Sequence, residues 1–402
     1  MKMNLSHWAL AIFASASMMV SNGMTMSGLS VYDVEFIDAF GWSMGEIKFR
    51  DMITLGLTGL IAPFAGILID RYGVRACMLV GWLVLALGYG GYALLGSLLG
   101  MYAIHAAFAL VLVSCGLNAC VILVSTWFLR YRGTAIGIAL VGTSLGGAVF
   151  PQYGTAMIEA LGWRAAFGWA ALIPLVLFLL TLFWLRDRPE EKNLRVLGEE
   201  NDNPQAGFGA ASQGVAFKDA VRTRAFWAFA LFAMATFYTV LGVQGHIYKY
   251  MRDANFDAQV ATNAVSLFFL SALAGKFVFG VVSDMFGGRR VLYGNVLVML
   301  AGSVLLARMN PDHIWLAVTA FGLGWGGAYT LLQLSLMNTF GVRDAGKILG
   351  VITILDAIGG GLGIWVTGLI YDATGSYEVP FTIFCGLIVF ALLCVRLQGT
   401  KE

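Results

Sequence analysis

The sequence predicts an all-α polytopic membrane protein with twelve transmembrane helices in two pseudo-symmetric six-helix bundles. Three observations carry that reading. Of 402 residues, 59% are hydrophobic and only 12% charged, a balance that suits lipid rather than water. The apolar residues gather in runs of about 20 to 25, enough at about 1.5 Å per residue to cross a hydrocarbon core of roughly 30 Å. A block of sequence in the first half also recurs in the second at nearly constant spacing.

The runs lie near 8–32, 44–68, 76–97, 101–126, 134–159, 164–185, 224–250, 259–283, 290–308, 313–339, 346–371 and 378–397. The first has no small-residue cleavage site and ends in Val31-Tyr32-Asp33, so a retained helix is expected rather than a removed signal peptide. The second opens on Ser43 with Glu46 three residues on, the spacing of a capping box. One long polar stretch, rich in Glu, Asn, Asp, Gly and Gln, divides the runs. The expected organisation is therefore a bundle over 1–185, a linker over 186–222 with a short surface helix at Phe217 to Arg224, and a second bundle over 223–402.

Lys and Arg near helix ends resist translocation. With the N-terminus inside, the inner side collects Arg71, Arg75, Arg130, Arg132, Arg186, Arg188, Arg222, Arg224, Arg289, Arg290, Arg343 and Lys347, among others. Lys48, Arg50, Arg164, Lys249, Arg252 and Arg308 remain outside. This bias predicts an inner-membrane protein with both termini cytoplasmic. The formal charge of +2 says nothing further about partners, and no nucleic-acid partner is expected. Cys77, Cys115, Cys120, Cys385 and Cys394 all sit in apolar runs without metal-ligand spacing and read as small hydrophobes, so no metal or other cofactor is expected.

The repeat is the most specific signal. Gly66-Ile-Leu-Ile-Asp70-Arg71-Tyr-Gly73-Val-Arg75 returns in the second half as Gly280-Val-Val-Ser-Asp284-Met-Phe-Gly287-Gly-Arg289. Gly133, Gly137, Gly146 and Gly147 return, at an offset that differs by a single position, as Gly346, Gly350, Gly359 and Gly360. In the first block glycine permits a tight turn between two helices, while Asp and Arg are of a kind to pair across it. The block reads either as a gating latch or as a topology determinant that supplies positive charge to the inner side.

With this repeat the sequence resembles the major facilitator superfamily, whose signature loop has the pattern Gly-x-x-x-Asp-Arg-x-Gly-x-Arg and whose halves are related in this way. The resemblance covers the whole chain. Several further features resemble the monocarboxylate porter and oxalate/formate antiporter branch: Phe40-Gly41-Trp42-Ser43, Ala62-Pro63, Trp127-Phe128 with Arg132-Gly133, and Arg224-Ala225-Phe226-Trp227. The resemblance implies the major facilitator fold, with runs 1, 2, 4, 5, 7, 8, 10 and 11 around a central cavity and alternating access to a small solute.

An ionisable side chain inside hydrocarbon costs roughly 2.5 to 3.5 kcal/mol on insertion scales, so each such group needs a partner or a wet cavity. Lys276, in the eighth run, offers a fixed positive charge to a carboxylate or else snorkels or pairs structurally. It matches an arginine that the porter family uses to bind the substrate carboxylate. The chain departs from that family in having lysine, which lacks the bidentate fork, and in having Ala272 where the family's acidic partner stands. The region Met24-Thr25-Met26-Ser27-Gly28 also lacks the lysine that some members carry in the first helix.

Asp356 lies near the middle of the eleventh run, with Gly359, Gly360 and Gly363 on one face. It reads as the first proton carrier or as half of a permanent ion pair. Arg50 and Asp51, in the second run, read as an anion attractor with a second proton-coupling group, or as a structural bridge to Asp33 or Glu35. Asn118, Tyr329 and Gln333 offer hydrogen bonds to a solute or to neighbouring helices, and His246, near the outer end of its run, reads as a substrate-site group that titrates near neutral pH or as a residue at a wet interface.

These residues point to transport of a small organic anion, a monocarboxylate by resemblance, together with protons, by a monomer embedded in lipid. Anion exchange and proton-driven drug efflux are the alternatives. The efflux pattern Gly-x-x-x-Gly-Pro-x-x-Gly-Gly is not matched here, because Gly142 and Gly146 are followed by Gly147 and the proline comes only at Pro151. No nucleophile and base, paired metal ligands or phosphate cradle emerges, so no enzyme is expected.

Overall fold

The computed structural model describes residues 5–192, 194–198, 214–308, 310–341 and 343–398. Eleven stretches among them are long and apolar enough to cross a membrane. They coincide with eleven of the twelve expected runs, and the remaining run, the second, is the 29-residue helix α3 (Met44–Tyr72).

Three runs are not single helices. In the first, α1 (Leu5–Thr25) gives way to a 3-10 turn over Ser27–Tyr32 and then to α2 (Asp33–Phe40). The chain leaves helical geometry at Met26 (φ −131°, ψ −79°), and α2 restarts with Asp33 and Glu35 in its first turn, where carboxylates suit the positive end of the helix dipole. The fourth run is α5 (Leu98–Cys115) and α6 (Leu117–Trp127), parted at Gly116. The sixth is α8 (Trp163–Ala170) and α9 (Leu172–Phe183).

α4 (Val74–Ala93) and α7 (Arg132–Leu161) complete the first set. Its counterpart contains α11 (Arg224–Asp253), α12 (Ala258–Phe286), α13 (Gly288–Ala307), α14 (Ile314–Phe340), α15 (Ala345–Thr374) and α16 (Glu378–Leu397). The expected linker helix is the single turn α10, Phe217–Ala220.

The chain divides into two compact units, 1–42 with 49–202 and 43–48 with 203–402. In the first, α1 packs on α7, and α4 packs on α5 and α9. Gly146 of α7 stands against the main-chain carbonyl of Met19, so close that a side chain there would displace α1. In the second unit α11 packs on α15, α12 on α14, and α13 on both α14 and α16. Gly359, the counterpart of Gly146 in the repeat, stands in the same way against the carbonyl of Met234, and Gly363 against that of Tyr238. Small residues at such seams let helix backbones approach in lipid, where no hydrophobic effect drives them together.

The capping box holds as read. Ser43 N–H donates to Glu46 Oε2 at 2.9 Å, and Glu46 N–H to Ser43 Oγ at 3.3 Å. The carboxylate of Asp372 adds to it by accepting from the N–H groups of Met44 (2.9 Å) and Gly45 (2.6 Å), all within the second unit.

Each described end of the linker lies on a loop of its own unit. Leu197 pairs in parallel with Phe128, its carbonyl accepting from Leu129 and Arg130 at 3.0 and 2.9 Å. Gly214 pairs in antiparallel with Gly341, and Val215 N–H donates to Phe340 O at 2.8 Å.

Candidate functional site

In the second unit, three of the candidate polar residues meet beside α14. Tyr329 hydrogen-bonds Gln333 one turn further along that helix and lies within electrostatic reach of Asp356 on α15. The ring of Phe237, on α11, is 6.0 Å from that of Tyr329. Oδ1 of Asp356 is shut away from solvent and has no hydrogen-bond partner among the described residues, a costly state for a carboxylate in an apolar surround. Lys276 is half-buried on α12, a helix that packs on α14 and also touches α11. α14 touches both the helix that carries the lysine and the helix that carries the carboxyl, as α11 does. Gln333 is exposed and Tyr329 half-buried, so the group presents a phenol, an amide and a carboxyl on a partly open face.

His246 is elsewhere in this unit and is not at a wet interface. Its ring is fully buried, with Nδ1 3.1 Å from the Tyr377 hydroxyl and Nε2 2.8 Å from the carbonyl of Ile364. These contacts join α11 to α15 and α16. Nearby, Lys249 pairs with Asp253, and Tyr371 bonds both, at 2.8 Å in each case.

In the first unit, Asn118 is exposed on α6. Arg50 takes a different place: it is fully buried and faces its own unit. One guanidinium nitrogen, Nη2, donates to Asp33 at 2.6 Å and to the carbonyl of Leu29 at 3.2 Å. Nε stands 3.5 Å from Asp51, and the guanidinium lies 5.6 Å from the ring centre of Phe36. The bridge to Asp33 read from the sequence is therefore present. It exists because the 3-10 turn breaks the first run and sets the start of α2, with Asp33, against α3.

The same cluster holds a residue that the sequence reading passed over. His105, on α5, is buried, with Nδ1 2.8 Å from Thr54 Oγ1 and 4.0 Å from Asp51 Oδ1, and Nε2 2.6 Å from the Tyr92 hydroxyl. The available signal was an ionisable side chain alone in an apolar run, the same criterion that picked out Asp356.

The signature loops place their arginines on helix ends. Gly73 and Gly287 hold φ at +83° and +85°, a region open to glycine and strained for other residues. Just beyond, Arg75 donates through Nη2 to Leu182 O at 2.6 Å and through Nε to Thr181 O at 3.3 Å, and its N–H to Asp187 at 2.8 Å. Arg289 donates to Arg396 O at 2.9 Å. Arg71 lies over the ring of Tyr72, while Asp284 is exposed and Gly280 half-buried. The surroundings of Gly66 and of the Asp70 side chain lie outside the described residues. Both arginines donate to carbonyls at the C-terminal ends of α9 and α16, which lack intrahelical partners.

Two six-helix sets, a repeat whose seam glycines and loop arginines make like contacts in both halves, and polar groups inside apolar helices define a membrane transporter rather than an enzyme. A sequence profile described as the Major Facilitator Superfamily matches residues 11–353 and 246–401, and the chain belongs to that family of secondary transporters. Monocarboxylate transporter 13 of Bos taurus is 25% identical over 369 residues, covering 89% of this chain and 81% of that protein. The uncharacterized MFS-type transporter YhjX of Escherichia coli is 24% identical over 320 residues, 77% of this chain and 74% of that one. The crystal structure of a bacterial homolog to human lysosomal transporter Spinster, inward-facing and occupied, aligns at a TM-score of 0.74 over 97% of this chain and 96% of that one, at 15% identity.

Proposed function

We propose that this transporter moves a small organic anion of the monocarboxylate kind, together with protons, by alternating access. The observation that carries the reading is the polar group on and beside α14: the Tyr329 hydroxyl and Gln333 amide on that helix, the Asp356 carboxyl within reach of Tyr329 on α15, and a lysine on the adjoining helix α12. Lys276 neutralises the substrate carboxylate, Tyr329 and Gln333 orient it, and Asp356 takes up the coupled proton, with Asp51 as a second acceptor in the first unit. A lysine and a carboxyl in apolar helices are expensive, and a cycle that binds an anion and a proton gives both a role.

Similarity to a monocarboxylate transporter at 25% identity supports the substrate class, and bacterial relatives together with the Lys/Arg bias support an inner membrane with cytoplasmic termini. The reading assigns Arg50 to internal charge balance, since Asp33 and the Leu29 carbonyl already occupy it.

The test is uptake of labelled acetate, lactate, pyruvate, oxalate and benzoate into proteoliposomes under an inward proton gradient. Gradient-dependent uptake of one acid, lost in Lys276→Ala and partly kept in Lys276→Arg, is the expected result. Uptake of no acid, alongside binding of lipophilic cations, would replace this reading with drug efflux.

A further inference from the structure

α11 packs on α16, and beside the start of the one and the end of the other lies a groove of about 320 Å³. Arg222, Arg224, Trp227 and Leu231 line it from the chain that enters α11, and Phe390 and Leu397 from α16. The volume is at the lower end of the roughly 300–1,000 Å³ usual for sites that take small molecules. Both helices are long and apolar enough to cross a membrane. The lining lies within about two turns of their ends, where a span passes from hydrocarbon into the headgroup layer.

Neither guanidinium is used by the fold. Among the described residues, the side chains of Arg222 and Arg224 make no hydrogen bond, ion pair or ring contact, and both are exposed. Arg75, Arg252 and Arg289, by contrast, donate to main-chain carbonyls. Asp219, the nearest acidic residue in sequence, is exposed and pairs with neither among the described residues. The end of α11 has its own cap, since Thr223 Oγ1 accepts from the Phe226 N–H at 3.1 Å, so the attraction for an anion comes from the side chains. Beside these two cations stands uncovered apolar surface: Trp227 is 51% exposed and Leu397 62%. Trp227 Nε1 donates to the carbonyl of Val221 at 2.9 Å, which ties the indole to the chain just ahead of Arg222.

We infer that this groove binds an anionic phospholipid, with its phosphate on Arg222 and Arg224 and the first methylenes of its acyl chains along Leu231, Phe390 and Leu397. A guanidinium takes phosphate oxygens in a bidentate fork, and tryptophan is favoured at headgroup level. Basic pockets between membrane helices are of the kind that holds such headgroups. A free phosphate would meet the charge and leave the apolar wall wet, and an apolar helix laid in the groove would bury both guanidiniums unpaired. A ligand with an anionic head and an apolar tail matches both parts. Through Trp227 the bound lipid touches Val221, the residue between α10 and Arg222, and so the point where the linker enters the second unit. The site is separate from the polar group on α14 and stands whatever solute is carried.

The test is native mass spectrometry of the full chain released from detergent, with phosphatidylglycerol or phosphatidylcholine added at equal concentration. The parent protein should keep phosphatidylglycerol in preference. Arg222→Gln or Arg224→Gln should each lower its retention about 5-fold and the double variant about 30-fold, the attraction expected of one and two basic residues at an anionic headgroup. Arg222→Lys with Arg224→Lys, which keeps the charge without the fork, should fall between the parent and the double glutamine variant. Arg290→Gln, an exposed arginine that does not line the groove, should leave retention unchanged. Inorganic phosphate and glycerol phosphate, which lack acyl chains, should not displace the lipid.

Equal retention of the two lipids, or full retention in the double glutamine variant, would overturn the proposal. So would an equal loss in Arg290→Gln, which would mean diffuse surface charge. Displacement by inorganic phosphate or glycerol phosphate would mean a free-anion site instead, and a dimer mass lost in Trp227→Ala would mean that a second copy of the chain fills the groove.

Discussion

The guanidinium of Arg289 donates to the carbonyl of Arg396 at 2.9 Å, and Arg75, its counterpart in the first unit, makes the same contact with Leu182 at 2.6 Å. Each arginine follows the glycine turn that starts the third helix of its set and reaches the last turn of the sixth. Cations there also meet the negative end of the helix dipole. Arg75 has a second carbonyl, Thr181, and an amide bonded to Asp187, whereas the Arg289 contact is exposed. Arg75→Ala should therefore cost about 1.5–3 kcal/mol, the range for hydrogen bonds involving a charged group, and Arg289→Ala less. Melting temperatures in detergent would rank the two.

Acid should loosen the linker's attachment to the second unit. Asp344 accepts from the Phe217 N–H and pairs with Lys347, both at 2.9 Å, and these contacts, the amide first, hold its carboxyl below the ordinary value of 3.8. A depressed folded value means that the contribution is present above 3.8 and lost as pH falls through the folded value. Near pH 7, Asp344→Asn should be cut in the linker faster than the parent protein. In acid strong enough to neutralise the parent's carboxyl, with pepsin as the protease, the two rates should converge.

Gly359→Leu should damage the second unit and Gly146→Leu the first by the same mechanism, because each glycine faces a helix carbonyl across a seam. Overpacking of this kind costs about 1–3 kcal/mol or more. The check is monodispersity and melting temperature in detergent, with Gly350→Leu, which has open space around it, as a control that should behave like the parent.

At the α14 group, Tyr329→Phe removes the hydroxyl bonded to Gln333. If that hydroxyl orients substrate, KM should rise about fivefold to tenfold, matching the loss of one hydrogen bond of roughly 1–1.5 kcal/mol. Asp356→Asn should leave uptake equally fast with and without a proton gradient. Initial-rate uptake assays read both.

The helices were legible because an apolar run of about 20 residues has few alternatives in lipid, and the repeat was legible because its turns use a positive φ that glycine takes without strain. Gly73 and Gly287 show this directly. The breaks were harder to read. Met26 and Gly116 sit in runs with no proline or formal charge beside them to mark a break, and what holds the turn after Met26 is tertiary: Arg50 takes the Leu29 carbonyl as well as the Asp33 carboxylate. His105 was missed for a related reason, since its meaning lies in Asp51, Thr54 and Tyr92, which come from other helices. The arginines of the signature loops were recognised as a set, but their partners are main-chain atoms of α9 and α16, and carbonyls leave no mark in a sequence.

The two linker ends grip equivalent loops from opposite chain directions. Phe128 and Gly341 occupy corresponding positions in the repeat, yet Leu197 runs parallel to the one and Gly214 antiparallel to the other. The first hook trails its own bundle and the second leads its own, so neither is a duplicate of the other. Every described linker contact before 199 or after 213 stays with the half that encodes it. A cut between those points would leave each polypeptide with its own hook.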